Sequence, residues 1–203
     1  MSMTTEITTA ERTTVDTVTG LAFTRRAWIQ AAPHDLYDLI SDVTRIGDWS
    51  PNADAVEYDQ DAGPWVGAWF SGRNRKGGKE WTTRSQIVAA EPGRRFAFAV
   101  GGAQDGIVQW EWVFTAKDAG TTVAQSWRVL RYDPVLGATR ADVEALRDYM
   151  ADSAETTLIN LAAWIGGLAD LSMRLATGHL SAVLDPRPLS IGLTQHKRES
   201  DDL

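Results

Sequence analysis

Side chains suited to hydrolytic or metal chemistry are few and scattered in this sequence. The chain carries three histidines, His34, His179 and His196, and no cysteine. A zinc site draws three or four clustered His, Cys or carboxylate ligands. The histidines stand far apart in three different settings, where surface or capping roles suit them. Without cysteine there is no disulfide, no thiolate metal site and no thiol nucleophile. Arg75-Lys76-Gly77-Gly78-Lys79 is basic and glycine-rich, but it matches no nucleotide-binding pattern and reads as a solvated hairpin tip. No Gly-x-Ser-x-Gly elbow is present to hold a nucleophilic serine. Neither a cofactor nor a metal is expected.

What remains is a set of neutral polar groups among large rings. Thr83, Ser85 and Gln125 fall on the same alternating rows as Trp81, Phe96, Phe98, Trp110, Trp112 and Trp127. Hydroxyls and an amide set among flat aromatic walls would orient an apolar ligand, and a polar inner group could also serve proton transfer. Arg73 and Asn74 lie near a strand end, while Arg84 and Arg128 are expected to face outward. The nine tryptophans are compatible with two readings, a filled core and a lined cavity.

These residues need elements to position them. The segment 23–30 reads as a first strand stopped by Pro33, which also suits the first turn of a helix carrying Leu36, Leu39 and Ile40. A second short helical turn ends around Gly47 and Pro51. A short strand is expected over 53–59. Longer strands are expected over 65–75, 80–90, 94–100, 107–116 and 121–131, separated by turn clusters such as Glu91-Pro92-Gly93 and Asp118-Ala119-Gly120. Successive hairpin steps of this kind make an antiparallel meander. Alternation puts Val108, Trp110, Trp112 and Phe114 on one face, and likewise Phe96, Phe98 and Val100. Val88 interrupts the alternation of its strand, and the row leaves open whether Trp69 or Phe70 faces inward. The four tyrosines, Tyr37, Tyr58, Tyr132 and Tyr149, are expected outside the inner strand rows.

From Arg140 the pattern turns helical, with Val143, Leu146, Met150, Ala154, Thr157, Leu158, Leu161 and Ile165 at three-to-four spacing. Leu158, Leu161 and Ala162 are expected on the wall opposite the sheet. Gly166-Gly167 is expected to end this helix, with a short extra helix over 168–184. Leu168, Leu171, Leu175 and Leu180 would give that helix an apolar face for a partner or a homodimer. Residues 1–20 are expected to be a disordered lead-in, 21–184 one domain, and 185–203 a flexible tail.

The order of these features resembles the START-like helix-grip superfamily, especially its bacterial polyketide cyclase/dehydrase-like (SRPBCC) branch. Ala32-Pro33, Asp42 with Trp49-Ser50-Pro51, Val66-Gly67-Ala68-Trp69-Phe70, Glu91-Pro92-Gly93-Arg94-Arg95-Phe96 and the Trp110/Trp112 strand carry the likeness. Gly120-Thr121-Thr122-Val123 and the final helix complete it, over about residues 23 to 165. The resemblance implies an α+β fold in which a curved antiparallel sheet wraps a long C-terminal helix, with two short helices after the first strand and a cavity between sheet and helix. It also implies that polar groups in such a cavity hold, and in aromatase/cyclases enolise, a polyketide chain.

Charge narrows the partner class. A formal net charge of −7 disfavours nucleic acid and simple electrostatic docking on anionic membrane. No run of apolar residues is long enough to span a bilayer, and the first residues lack the pattern of a signal peptide, so a cytoplasmic location is expected. Three function classes follow: binding of a small aromatic, polyketide-like or lipid-like molecule; a cyclase, dehydratase or aromatase acting on one; or an interaction protein using the C-terminal helical region. Asp48 with Trp49 reads either as a gate at the cavity mouth or as a structural corner.

Overall fold

A computed structural model describes Val18 and residues 20–176. The chain divides into two compact units, Met1–Leu168 and Ala169–Leu203. Within the first unit lie strands β1 (Ala22–Ile29), β2 (Ala53–Tyr58), β3 (Trp69–Lys76), β4 (Lys79–Glu91), β5 (Arg95–Val100), β6 (Val108–Lys117) and β7 (Gly120–Val129). Helix α1 (Pro33–Ser41) and a 3₁₀ helix (Val43–Asp48) separate β1 from β2, and a second 3₁₀ turn (Pro134–Leu136) precedes helix α2 (Arg140–Ala176). The fold is α+β, a curved seven-stranded antiparallel sheet with the long C-terminal helix of the helix-grip class.

The sheet order is β1-β7-β6-β5-β4-β3-β2, so β2 to β7 form a continuous meander and β1 closes onto its far end. The two short helices carry the chain from one edge of the sheet to the other. Pro33 opens α1 without a side-chain cap, as its missing N–H would be unsatisfied there in any case. The Asp42 carboxylate accepts from the Thr44 N–H at 3.3 Å and starts the next turn. Gly120 is required by close approach: a Cβ there would lie 2.5 Å from the Ile29 carbonyl oxygen on the paired edge strand.

Register sets which side chains share the inner face, since directly opposed residues point the same way. One rung runs Phe23–Trp127–Trp110–Phe98 across β1, β7, β6 and β5. The next holds Gln125, Trp112 and Phe96. A third runs Val129–Val108–Val100–Ser85–Phe70–Tyr58, from β7 to β2. The register of β4 on β5 shifts between Ile87 and Ala89, so Val88 is an extra residue that reverses the alternation and puts Ala90, rather than Ala89, opposite Phe96. That bulge is why Val88 spoils the simple pattern.

Phe70 is the inward residue of β3; it is buried, while Trp69 stacks under the Arg84 guanidinium at 4.6 Å on the other face. The strand expected from Trp65 begins only at Trp69. Before it the chain turns, with Gly67 at φ +92° and the Ala68 N–H donating to the Trp65 carbonyl at 3.1 Å. Tyr58 also departs from expectation, because its register against Phe70 puts it on the inner face. Its hydroxyl donates to the Ser41 carbonyl at 2.6 Å. Burial, with the Asp42 carboxylate nearby, pushes its ionisation far above the usual tyrosine range.

Helix α2 starts at a reciprocal cap. The Asp142 N–H donates to the Thr139 hydroxyl oxygen at 3.2 Å, and the Asp142 carboxylate accepts from the Thr139 N–H and hydroxyl, each at 2.9 Å. The helix does not end at Gly166-Gly167, as expected, but continues to Ala176, about 55 Å at about 1.5 Å per residue. Each glycine costs a helix only about 1 kcal/mol, and both lie on exposed positions, so propagation carries through them. Residues 177–184 of the expected extra helix lie outside the described residues, as do the side chains of Leu168, Leu171, Leu175 and Leu180. Among the described residues, no helix is long and apolar enough to cross a membrane.

Buried apolar side chains fall into two clusters. One gathers Leu36, Tyr37 and Ile40 of α1 with Trp49, Phe96, Trp112, Phe114, Leu158 and Leu161. The other gathers Val108, Trp127, Val129, Leu136 and Val143. Helix α2 contributes to both, Val143 near its start and Leu158 and Leu161 further on.

Candidate functional site

Between the two clusters lies a cavity of about 740 Å³. It exists because the side chains facing it from several directions are small. Gly72 has none, Ser85 carries a hydroxymethyl group, and α2 presents Ser153 and Thr157 between its larger apolar residues. Gly72 lies beside Val56, whose methyl would meet an added Cβ at 3.3 Å, so the strand cannot take a larger residue there without the neighbour moving.

The sheet side of the cavity is aromatic. Trp81, Phe96, Phe98, Trp110, Trp112 and Trp127 all line it, as expected from alternation. Edge-to-face contacts hold the rings in place: Phe70 and Phe98 have centroids 5.0 Å apart at 80°, and Phe23 braces Trp110 at 6.0 Å and 79°. Phe23 also stacks on Trp127 at 5.9 Å, although it is not itself part of the wall.

The polar members are Thr83, Ser85 and Gln125, joined by Asn52, Asn74, Ser153 and Thr157. Asn74 donates to the Gly72 carbonyl at 3.2 Å and to the Thr83 hydroxyl at 3.1 Å, forming a small neutral cluster beside Trp81. Ser85 is 1% and Gln125 6% exposed, so both are enclosed. The Gln125 Oε1 atom is itself fully enclosed and has no hydrogen-bond partner among the described residues. Among the described residues of the lining Arg84 alone is ionisable, and its guanidinium is held by Asp59 and by the Trp69 ring.

The half-open members of the wall mark the mouth. Trp81 is 37% and Val135 is 75% exposed, and Thr82, Arg84 and Gly101 are exposed as well. At the opposite rim, Asn52 donates to the Ser153 hydroxyl at 2.6 Å and accepts from the Tyr149 hydroxyl. Asn52, Ser50 and Ala53 also border an adjoining hollow of about 450 Å³ lined by Gly47, Arg75 and Tyr149.

The helix wall is displaced from its expected position. Leu158, Leu161 and Ala162 do not line the cavity. They pack into the cluster built on α1 and the 3₁₀ helix, where Tyr37, Trp49 and Phe114 fill the space beneath them. The cavity lies under the preceding turns, at Leu146, Met150, Ser153 and Thr157. Leu146, Met150 and Thr157 belong to the face that apolar periodicity picks out, though the wall was expected further along it; Ser153 and Asn52 are site residues that periodicity does not single out. The signal that marks Ser153 and Thr157 is size, small polar residues on an otherwise apolar helix face.

The Asp48 and Trp49 pair is a corner. Trp49 is buried, its ring is 6.0 Å from Trp164, and its carbonyl accepts from the Asn160 amide at 3.0 Å. Its ring side contributes to the cavity wall, while Asp48 pairs outside it with Arg45 at 3.2 Å. His34 sits on α1 beside Gly93, away from the cavity; His179 and His196 lie outside the described residues.

The model of the family described as polyketide cyclase / dehydrase and lipid transport matches residues 21–165, the whole of the sheet and the cavity-bearing part of α2. The chain belongs to that family. This places it in the helix-grip SRPBCC superfamily. Solved structures agree on the fold. The di-domain ARO/CYC StfQ from the steffimycin biosynthetic pathway superposes with a TM-score of 0.61 at 17% identity, over 76% of this chain and 53% of that one. The di-domain ARO/CYC BexL from the BE-7585A biosynthetic pathway gives 0.54 at 23% identity, over 70% of this chain and 48% of that one. The major latex-like protein 151 of Panax ginseng gives 0.53 at 11% identity, over 71% and 96%. This chain therefore spans about half the length of the two di-domain proteins. No curated protein matches it in sequence.

Proposed function

We propose that this member of the family binds a small, neutral, largely aromatic molecule in the cavity between the sheet and α2. The observation that carries the reading is the combination of volume and lining. A space of about 740 Å³ falls within the common range for small-molecule sites, and its walls are rings with a few neutral polar groups set among them. Burial of the ligand against Trp110, Trp112, Trp127 and Phe98 supplies the affinity, and Ser85, Thr83, Asn74 and Gln125 supply orientation. The family's description, polyketide cyclase / dehydrase and lipid transport, agrees with a polyketide-like or lipid-like ligand.

The cyclase, dehydratase or aromatase reading draws on the names of StfQ and BexL and on Ser85 and Gln125 facing the same space. It is the weaker reading on chemical grounds. General acid–base catalysis uses His, Asp, Glu, Lys, Tyr or Cys side chains at the reacting atoms, and the described residues of the lining include none of these. Its lone cation, Arg84, is already engaged.

Titration with 2-methylnaphthalene, followed by tryptophan fluorescence, tests the binding reading. Saturable quenching that is lost when Trp110 is replaced by a lysine supports it. No saturable change in the folded wild-type protein removes it. Turnover of an aromatase substrate that survives in the Ser85→Ala/Gln125→Met double variant would remove those two groups as the chemistry of the rival.

A further inference from the structure

We infer that the Asn52 side chain is the latch of a second opening of the cavity, a route between its interior and solvent that is separate from the mouth at Trp81 and Val135. This rests on the binding reading above. The cavity of about 740 Å³ and the adjoining hollow of about 450 Å³ share three residues, Ser50, Asn52 and Ala53. Among the described residues, Asn52 is the one of these three hydrogen-bonded to helix α2 through its side chain, and its two partners stand on different sides. Ser153 lines the cavity, while Tyr149 lines the hollow. The bridge is the partition between the two spaces. The hollow opens to solvent, since Gly47, Pro51, Arg75, Gly77 and Gly78 of its lining are all exposed.

The partition is a side chain on a fixed backbone. The Asn52 carbonyl accepts from the Arg75 N–H at 2.8 Å, and the Asn52 N–H donates to the Ser50 hydroxyl oxygen at 3.3 Å. Rotation about the side-chain bonds of Asn52 breaks the two contacts to α2 and leaves these two in place, so opening needs no movement of strand or helix. Both contacts are to hydroxyls, each able to donate or accept, so the amide keeps them in either orientation. The other two shared residues are small. Ala53 ends at a methyl group, and the Ser50 hydroxyl is turned to the Asn52 and Ala53 N–H groups at 3.3 and 3.2 Å. A latch of this kind sets how often the passage opens. It changes the rates of entry and exit by the same factor and leaves the affinity almost unaltered, because the free and bound states both keep it closed.

Stopped-flow mixing of 2-methylnaphthalene with the wild type and with Asn52→Ala, followed by tryptophan fluorescence, tests the latch. The association and dissociation rate constants are both expected to rise about tenfold in Asn52→Ala, with Kd within about twofold of the wild type. Tyr149→Phe removes one of the two bonds and keeps the ring, so a rise of about threefold in both rates is expected, and this variant carries the test if Asn52→Ala does not fold. Leu161→Ala is the control for general loosening, because Leu161 is fully buried and lines neither space. Its rates are expected to stay within about twofold of the wild type. Unchanged rates in Asn52→Ala and Tyr149→Phe would overturn the proposal. Equal acceleration in Leu161→Ala would overturn it too, and so would a change of Kd carried by dissociation alone. Failure of 2-methylnaphthalene to bind the wild type would remove the cavity reading and the latch with it, an outcome distinct from binding at unaltered rates.

Discussion

Asn52, the residue before β2, donates its side-chain amide to the hydroxyl of Ser153 on α2 at 2.6 Å, joining sheet edge and helix at the rim of the cavity. The same amide accepts from the Tyr149 hydroxyl one turn earlier on the helix. Two residues 101 positions apart in sequence thus hold the two walls of the site at a fixed separation.

Replacing Asn52 with Ala removes both bonds. The expected loss is about 1 to 2 kcal/mol of unfolding free energy, measured by urea titration. An unchanged midpoint would mean that the bridge contributes nothing to holding the walls together.

Two truncations on one helix separate filled core from cavity wall. Leu161 is fully buried against α1, so Leu161→Ala is expected to cost about 3 kcal/mol. Met150 faces open volume on one side, so Met150→Ala is expected to cost about 1 kcal/mol. Equal losses in denaturant titrations would contradict the position of the cavity beneath Met150.

Trp81 stands at the mouth and is 37% exposed. Trp81→Ala is expected to change stability by less than about 1 kcal/mol and to weaken 2-methylnaphthalene about threefold to tenfold. Full retention of affinity, read by calorimetry, would take Trp81 out of the binding surface.

The Asp142 carboxylate accepts from the Thr139 hydroxyl and the Thr139 backbone N–H, which hold it below the usual carboxylate range. A carboxyl group depressed in the folded state stabilises it above the ordinary carboxylate value, and that stabilisation disappears as pH falls through the folded value. Asp142→Ala is therefore expected to be less thermostable than the wild type at pH 7, with the gap narrowing as the solution becomes strongly acid. A gap independent of pH, seen by thermal unfolding monitored with circular dichroism, would show that the charge is not what the cap uses.

Much of the sheet is legible along the chain because its cause is local. Alternation in Val108, Trp110, Trp112 and Phe114 and in Phe96 and Phe98 follows from the pleat, and the tertiary structure keeps each row on one face, with Trp110 and Phe98 only partly buried where they meet the cavity. The pattern fails where a non-local pairing intervenes. The bulge at Val88 reverses the parity of β4 only in register with β5. Phe70 rather than Trp69 turns inward because β3 pairs with β4, setting Phe70 opposite Ser85 and Trp69 opposite Gln86. The cap at Thr139 and Asp142 is a case of the other kind, a three-residue spacing that was readable and that hydrophobic periodicity passes over.

The amino-acid order alone determined the element succession, the antiparallel meander, the aromatic inner rows and the absence of thiol chemistry, since each depends on neighbours in the chain or on composition. Only the tertiary structure decided where empty space remains. A vacancy depends on how two distant surfaces meet: Ser153 and Thr157 come to stand over Gly72, Ser85 and Gln125, while Leu158 and Leu161, one turn on, meet Tyr37 and Trp49 and leave no room. Volume is a difference between what the backbone encloses and what side chains fill, and no single segment holds both quantities.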